Sequence, residues 1–278
     1  MKGLIGLFLF FLSTPLFAQY YYKDIVLTKQ ATENWKKFKD NRVREVILES
    51  IEGNGQPTEG FDVRQVISSD FSKITTTSKA TSISHSSTLT AFYDSKGYLQ
   101  RTMDTSDTYK SESIYEYDSN GRIISITNLS TETDNQVKNS EKHIWNYDQG
   151  GKITSMLKIK QDLDTTKVKF VSDEKGNITE ERPMRNKIAM PSTYYYYSND
   201  NLLTDIVRYN QKAQRLLPDY IFEYSNGRLS AMLFVPEGSN DYQKWLYEYN
   251  EKGLKSKETC YNKRKEMLGR IEYQYNYK

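Results

Sequence analysis

Two histidines, one cysteine and a scatter of carboxylates are the side chains of this 278-residue sequence that could do chemistry. Neither His85 nor His143 has a ligand partner at a metal-binding spacing such as i+4 on a helix. There is no Gly-x-Ser-x-Gly nucleophile elbow and no phosphate-cradling glycine loop ending in lysine. Cys260 has no second cysteine to pair with and reads as a partly buried small side chain rather than a nucleophile. Glu116, Asp118, Asn120 and Gly121 imitate the start of a calcium loop, but the position that needs a bidentate glutamate is Thr127. Two carboxylates that converge in space would suffice for glycoside hydrolysis. Glu116, Glu223 and Glu248 nevertheless occupy equivalent positions of a repeat, and an active site is normally built once. The sequence is therefore read as non-catalytic, with no cofactor and no metal.

The aromatic residues offer binding chemistry instead. Tyr115, Tyr117, Trp145, Tyr147, Tyr195, Tyr197, Trp245, Tyr247 and Tyr249 recur in Tyr-x-Tyr-like pairs, and stacked rings of this kind contact sugar rings or a partner's strand. The same pairs also serve a purely structural end, because cross-strand aromatic neighbours stabilise a sheet by roughly 0.2–1 kcal/mol each. The structural account is preferred, and the binding account is carried forward as an expectation.

The elements that position these rings are hairpins. Residues i and i+2 of a strand share a face, so Tyr115 and Tyr117 point one way and Glu116 the other. Asp118-Ser119-Asn120-Gly121 is a turn, with Asp favoured at its first position and Gly supplying a positive φ at its end. The turn residues recur as Asp94 and Gly97, Asp118 and Gly121, Asp148 and Gly151, Asp173 and Gly176, then Asn201, Gly227 and Gly253. Successive glycine positions, counting Asn201 as one, are 24, 30, 25, 25, 26 and 26 residues apart. Turn chemistry explains the aspartates without a metal. The array is clearest from residue 91, and degenerate strands extend it back to residue 43. Residues 19–42 read as a linker or short helix around Thr32–Phe38.

Residues 1–18 have the layout of a cleavable export signal: Lys2, an apolar run from Leu4 to Leu12, and Ala18 before the cut. The expected destination is the periplasm, the outer-membrane surface or the outside. No later apolar run reaches spanning length, so the processed chain is not expected to be transmembrane. Its net charge of +3 falls to +2 without Lys2, and the scattered basic residues form no nucleic-acid stripe. Mean hydropathy of −0.77 and 23 tyrosines indicate a modest, aromatic core.

Tyr115-Glu116-Tyr117-Asp118-Ser119-Asn120-Gly121-Arg122-Ile123, supported by Tyr224–Leu229 and Tyr93–Gly97, resembles the YD, or RHS-type, repeat. The resemblance implies an all-β fold: a long antiparallel meander of hairpin repeats in one extended, twisted or curled sheet. It further implies a surface or periplasmic binding and scaffold module for a glycan or another cell-envelope protein, or an accessory to toxin delivery. A polysaccharide-acting enzyme is the last alternative. Such a sheet leaves edges, and the closing Tyr273–Lys278 strand is expected to mediate weak edge-to-edge self-association.

Overall fold

The computed structural model describes residues 20–80, 83–133, 137–236, 239 and 241–277. The export signal expected at 1–18 lies outside the described residues. One helix, α1 (Lys23–Asp40), precedes the strands. Its first turn carries Asp24 and its last turn Lys37 and Lys39, which complement the helix dipole.

The strands that follow are β1 (Val43–Glu52), β2 (Asp62–Ile67), β3 (Lys73–Ala80), β4 (Ile83–Tyr93), β5 (Leu99–Ser106) and β6 (Tyr109–Tyr117). Next come β7 (Ile123–Glu132), β8 (Lys138–Tyr147), β9 (Ile153–Lys160), β10 (Asp164–Ser172), β11 (Ile178–Arg185), β12 (Ile188–Ala189) and β13 (Thr193–Tyr197). The chain ends in β14 (Leu203–Asn210), β15 (Arg215–Ser225), β16 (Arg228–Phe234), β17 (Gln243–Tyr249), β18 (Lys255–Asn262) and β19 (Met267–Tyr277). Each strand pairs antiparallel with a chain neighbour, except that β12 and β13 lie end to end against β11.

The sheet then closes on itself. β1 pairs with β2 on one side and with β19 on the other, with Val46 opposite Tyr275 and Leu48 opposite Tyr273. With β12 and β13 counted as one interrupted strand, the described residues form a barrel of 18 antiparallel staves. This overturns the expectation of one extended, twisted or curled open sheet. The free edge on which self-association was expected is occupied: Tyr273–Tyr277 is hydrogen-bonded into the seam with β1.

The turns follow the local chemistry of their residues. Gly121 N–H donates to the Asp118 carbonyl (3.0 Å), while the Asp118 carboxylate accepts the N–H groups of Asn120 and Arg122 (both 2.9 Å). Asp94, Asp148, Asp173 and Asn250 repeat the arrangement. Asn201 takes the left-handed position with φ +59°, as Asn tolerates better than most residues. The shorter turn has both Asn226 and Gly227 at positive φ, the signature of a two-residue type I′ hairpin.

Six repeats also tie themselves to the one before. The hydroxyl of the second ring in the pair donates to the carbonyl two residues beyond the preceding turn: Tyr117 to Leu99, Tyr147 to Ile123, Tyr197 to Ile178, Tyr224 to Leu203, Tyr249 to Leu229 and Tyr275 to Lys255, all at 2.7–2.9 Å. The unit at Phe170–Ser172 has a serine in place of the second ring, so it has no such tyrosine.

These rings face the lumen, where α1 and the three residues before it also lie. Tyr20 packs edge-on against Tyr195 and Tyr220, and Tyr21 against His143. Trp35 stacks on Tyr93 and donates its indole N–H to the Phe71 carbonyl (2.7 Å), while Phe38 meets Tyr275. One short segment touches β4, β8, β13, β15 and β19, strands spread around the ring, and only a segment inside the barrel can do so. Gly97 is the seat for Trp35: a Cβ there would stand 2.3 Å from the indole, at φ +87°. Gly55 has nearly the same φ, +84°, but open space around it.

Two outcomes test this architecture. Gly97→Ala should destabilise the protein by about 1 kcal/mol or more beyond Gly55→Ala in urea unfolding, since backbone strain is common to both and only the indole clash differs. Gln274→Pro, which removes a ladder donor from the seam, should cost about 1–3 kcal/mol. An unchanged melting temperature would mean that the seam does not hold the barrel.

Candidate functional site in the barrel lumen

Partners across a ladder share a face, so the face of every stave follows from the register. Toward the turns the inward positions are aromatic or aliphatic. Toward the opposite end they turn polar. Along β6 the inward sequence runs from Tyr109, Ser111 and Ser113 to Tyr115 and Tyr117. Along β8 it runs from Asn139, Glu141 and His143 to Trp145 and Tyr147, and along β9 from Lys160 and Lys158 to Met156 and Ile153. Asp104 and Thr102 on β5 and Asn128 and Ser130 on β7 belong to the same polar zone. Ser111, Ser113, Asn128 and Asp104 face inward yet remain partly exposed. Solvent therefore enters the barrel from the end opposite the turns and stops at the aromatic layer.

A set of buried charges lies where the two zones meet. His143 is buried between two carboxylates, with Nδ1 2.5 Å from Asp24 of α1 and Nε2 2.9 Å from Glu141 of its own strand. Lys158 on β9 pairs with the other oxygen of Glu141 at 2.7 Å. Burial by itself lowers the His143 pKa, but the hydrogen bonds and charges of Asp24 and Glu141 outweigh it and push the value up to about 9. Burial likewise raises Glu141, yet its bonds to His143 and Lys158 hold it down at about 2. With His143 protonated, both ring nitrogens donate and the four groups balance in charge.

A second buried carboxylate secures the chain entering α1. Glu181 is fully buried and accepts the N–H groups of Tyr21 (2.9 and 3.1 Å) and Tyr22 (3.1 Å) and the hydroxyl of Tyr195 (2.7 Å). Burial raises its pKa, and these donors partly offset the rise. They supply hydrogen bonds that water would otherwise give to the buried carboxylate.

The rings singled out from sequence all line the lumen. Trp145, Tyr195, Trp245 and Tyr247 are buried in the core, while Tyr115, Tyr117, Tyr147, Tyr197 and Tyr249 are half-buried. The structure brings Tyr115, Tyr117, Trp145, Tyr147, Tyr195 and Tyr197 into one core region around Tyr21, and Trp245, Tyr247 and Tyr249 into another with Cys260. Burial raises the Cys260 thiol to about 12, which keeps it protonated. Glu116, Glu223 and Glu248 point outward on the other face. His143, for which the sequence shows no partner at a metal-binding spacing, is the centre of the charge cluster. Its alternation with Glu141 and Trp145 marked it as inward-facing, but nothing in the sequence named Asp24 as its partner, 119 residues away. Glu181 went unnoticed, since one glutamate in Thr179-Glu180-Glu181-Arg182 carries no local signal. The side chain of His85 lies outside the described set. Among the described residues no group of three or more potential ligands is placed to hold a metal ion.

No family model matches the chain, and no curated protein matches its sequence. Among solved structures, a porin-like protein from Bacteroides uniformis aligns with 85% of this chain and 97% of its own, at 9% identity and a TM-score of 0.44. A porin-like protein from Bacteroides vulgatus aligns with 84% and 98%, at 12% identity and a TM-score of 0.28. A protein with a YmcC-like fold from Bacteroides fragilis aligns with 85% and 97%, at 9% identity and a TM-score of 0.20. The YD- or RHS-type resemblance is corrected by the closure of the sheet: the Tyr-x-Tyr strands and Asp-x-x-Gly turns are present, but they build a closed barrel rather than a spiral.

The charge cluster generates a pH prediction. A folded His143 pKa of about 9, against an ordinary 6.5, contributes stability that is complete below about pH 6.5 and lost as pH rises through about 9. The full effect is on the order of 3 kcal/mol. Glu141 acts in the opposite direction, losing its contribution as pH falls from about 4.5 toward 2. Urea unfolding should show a drop between neutral and strongly alkaline pH in the parent. In His143→Gln the protein should be weaker at neutral pH, with that part of the drop absent. An identical alkaline slope in both would exclude His143 as its source.

Proposed function

We propose that this protein is an exported, non-catalytic binding barrel that stands in water, in the periplasm, at the outer-membrane surface or outside the cell. The polar half of its lumen is the binding site, and a carbohydrate-class ligand is the occupant its lining fits best. The observation that carries this reading is the distribution of polarity across the barrel wall. Outward positions include the row Glu248, Lys257, Glu272 and Glu49, paired in register across four adjacent staves. Lys142 and Lys167 face outward from the middle of β8 and β10. A lipid-facing band is apolar, and a lysine near its midplane costs about 2–4 kcal/mol. The inner face is aromatic near the turns and blocked by Tyr20–Asp40, which opposes a through-channel.

The lining of the open half is rich in hydroxyl, amide and carboxylate groups: Ser111, Ser113, Asn128, Asp104 and Tyr109. Tyr109 donates to Asp104 at 2.8 Å and Ser113 to Asn128 at 2.7 Å. Such groups exchange hydrogen bonds with polyhydroxylated ligands while an aromatic floor packs against a ring. Glu116, Glu223 and Glu248, the carboxylates weighed for glycoside hydrolysis, stand on the outer face, and His143 is buried and committed at both nitrogens.

The test uses the processed protein purified without detergent. It should be monodisperse, should leave planar bilayers non-conducting, and should bind on a glycan array. Ser111→Trp, which places a ring in the open half of the lumen, should abolish that binding while the fold is retained. A requirement for detergent, a conducting pore, or array binding unaffected by Ser111→Trp would each defeat the proposal.

A further inference from the structure

The connections at the open end place apolar side chains where folding has no use for them. Leu163 is 87% exposed and Ile188 71% exposed. Both sit on tight hairpins. Gln161 and Asp162 at the first tip, and Asn186 and Lys187 at the second, all hold positive φ between 50° and 65°, so the tips are constrained turns rather than loose loops. β10 and β11 pair with Thr166 opposite Arg185. The chain reverses at Asn186 and Lys187, so Ile188 on β12 pairs with Arg185 on the side of β11 away from β10. Asp164 joins the two hairpins through Arg185, at 2.5 Å. Exposed Met184 pairs with Ala189 next to Ile188, exposed Met190 lies two residues beyond Ile188, and exposed Tyr209 and Leu216 pair on the neighbouring β14–β15 hairpin. Together these six side chains form an apolar lip on one side of the mouth.

The lip is also basic. Lys160, Lys187, Lys212 and Arg215 are exposed on the same three hairpins. Segments 160–164, 185–190 and 209–216 carry five basic and two acidic residues, a net +3. The acidic Asp164 is already paired with Arg185. Apolar tips surrounded by lysine and arginine match the boundary of an anionic bilayer, where aliphatic side chains enter the acyl margin and basic ones meet headgroups.

We propose that this lip docks the barrel onto an anionic lipid surface, peripherally, with the staves remaining in water. A protein partner would also cover apolar side chains. The positive ring around rigid, isolated tips favours a surface that is negative and laterally uniform. Docking would set the mouth of the polar half beside the membrane. This inference uses the exposed rim and none of the residues proposed to bind a glycan, so it stands or falls separately from glycan binding.

Flotation of the processed protein with two vesicle types decides it: phosphatidylcholine alone, and phosphatidylcholine mixed with phosphatidylglycerol. The protein should float with the anionic vesicles, remain behind with the neutral ones, and be released by raised salt. Leu163→Ser combined with Ile188→Ser should reduce the bound fraction at least about tenfold, because each removes an aliphatic side chain that the acyl margin would bury. Circular dichroism and thermal melting of the double variant should match the parent, since both residues are exposed. The proposal is overturned if the parent fails to float with anionic vesicles, if it floats equally with neutral ones, or if the double variant floats like the parent. Capture of a protein through the lip without vesicle binding would also overturn it.

Discussion

The hydroxyl of the second tyrosine in each repeat decides what kind of sheet this chain can form. A tyrosine on a strand facing water would leave its hydroxyl to solvent and its backbone neighbours unconstrained. Here the hydroxyl reaches a carbonyl of the preceding hairpin, on the inner face, six times around the ring. Each bond is worth only about 1 kcal/mol net. Its geometric effect is larger, because it joins one hairpin to the next at the same height and on the same face. Repeated at a near-constant interval, that constraint keeps the aromatic layer at the turn end and the polar layer at the other.

Much of this was legible in the sequence and some was not, for identifiable reasons. The turns were legible because Asp, Gly and Asn act on their own backbone within four residues. The strand faces were legible because a two-residue alternation needs no knowledge of the partner. Closure was not, since pairing Val46 with Tyr275 depends on the accumulated twist and stagger of all the intervening staves, and no local signal records that sum. The same limit hid the charge cluster: Asp24 and His143 have meaning only together. The helix also exceeds what its sequence indicated. Thr32–Phe38 marked its second half, but the first half, Lys23–Ala31, is settled by the lumen that receives it.

A barrel of 18 staves poses a filling problem that a smaller one does not. Eight staves enclose a space that side chains alone can fill, and 16 or more leave a channel. This chain fills the gap with three tyrosines, a helix and the aromatic layer. The filling is secured at both ends. Glu181 and Asp24 with His143 hold the beginning of the segment, while Trp35 over Gly97 and Phe38 against Tyr275 hold its end. The two ends use different physics: buried charges with matched donors at the first, shape and apolar contact at the second.

That asymmetry bears on how the barrel is organised. Apolar contacts at Trp35 tolerate small displacement, whereas the buried Glu181 carboxyl group does not, because each hydrogen bond it loses leaves a buried polar atom unsatisfied. Glu181 and the His143 cluster therefore set the register of the segment inside the barrel, and Trp35 supplies adhesion. The polar zone begins at these charges. They are where the lumen changes from a packed core to a site that solvent can enter, and they hold the helix as the floor of that site. A wide barrel with an inward aromatic layer thus gains a dry base and a wet mouth from one insertion.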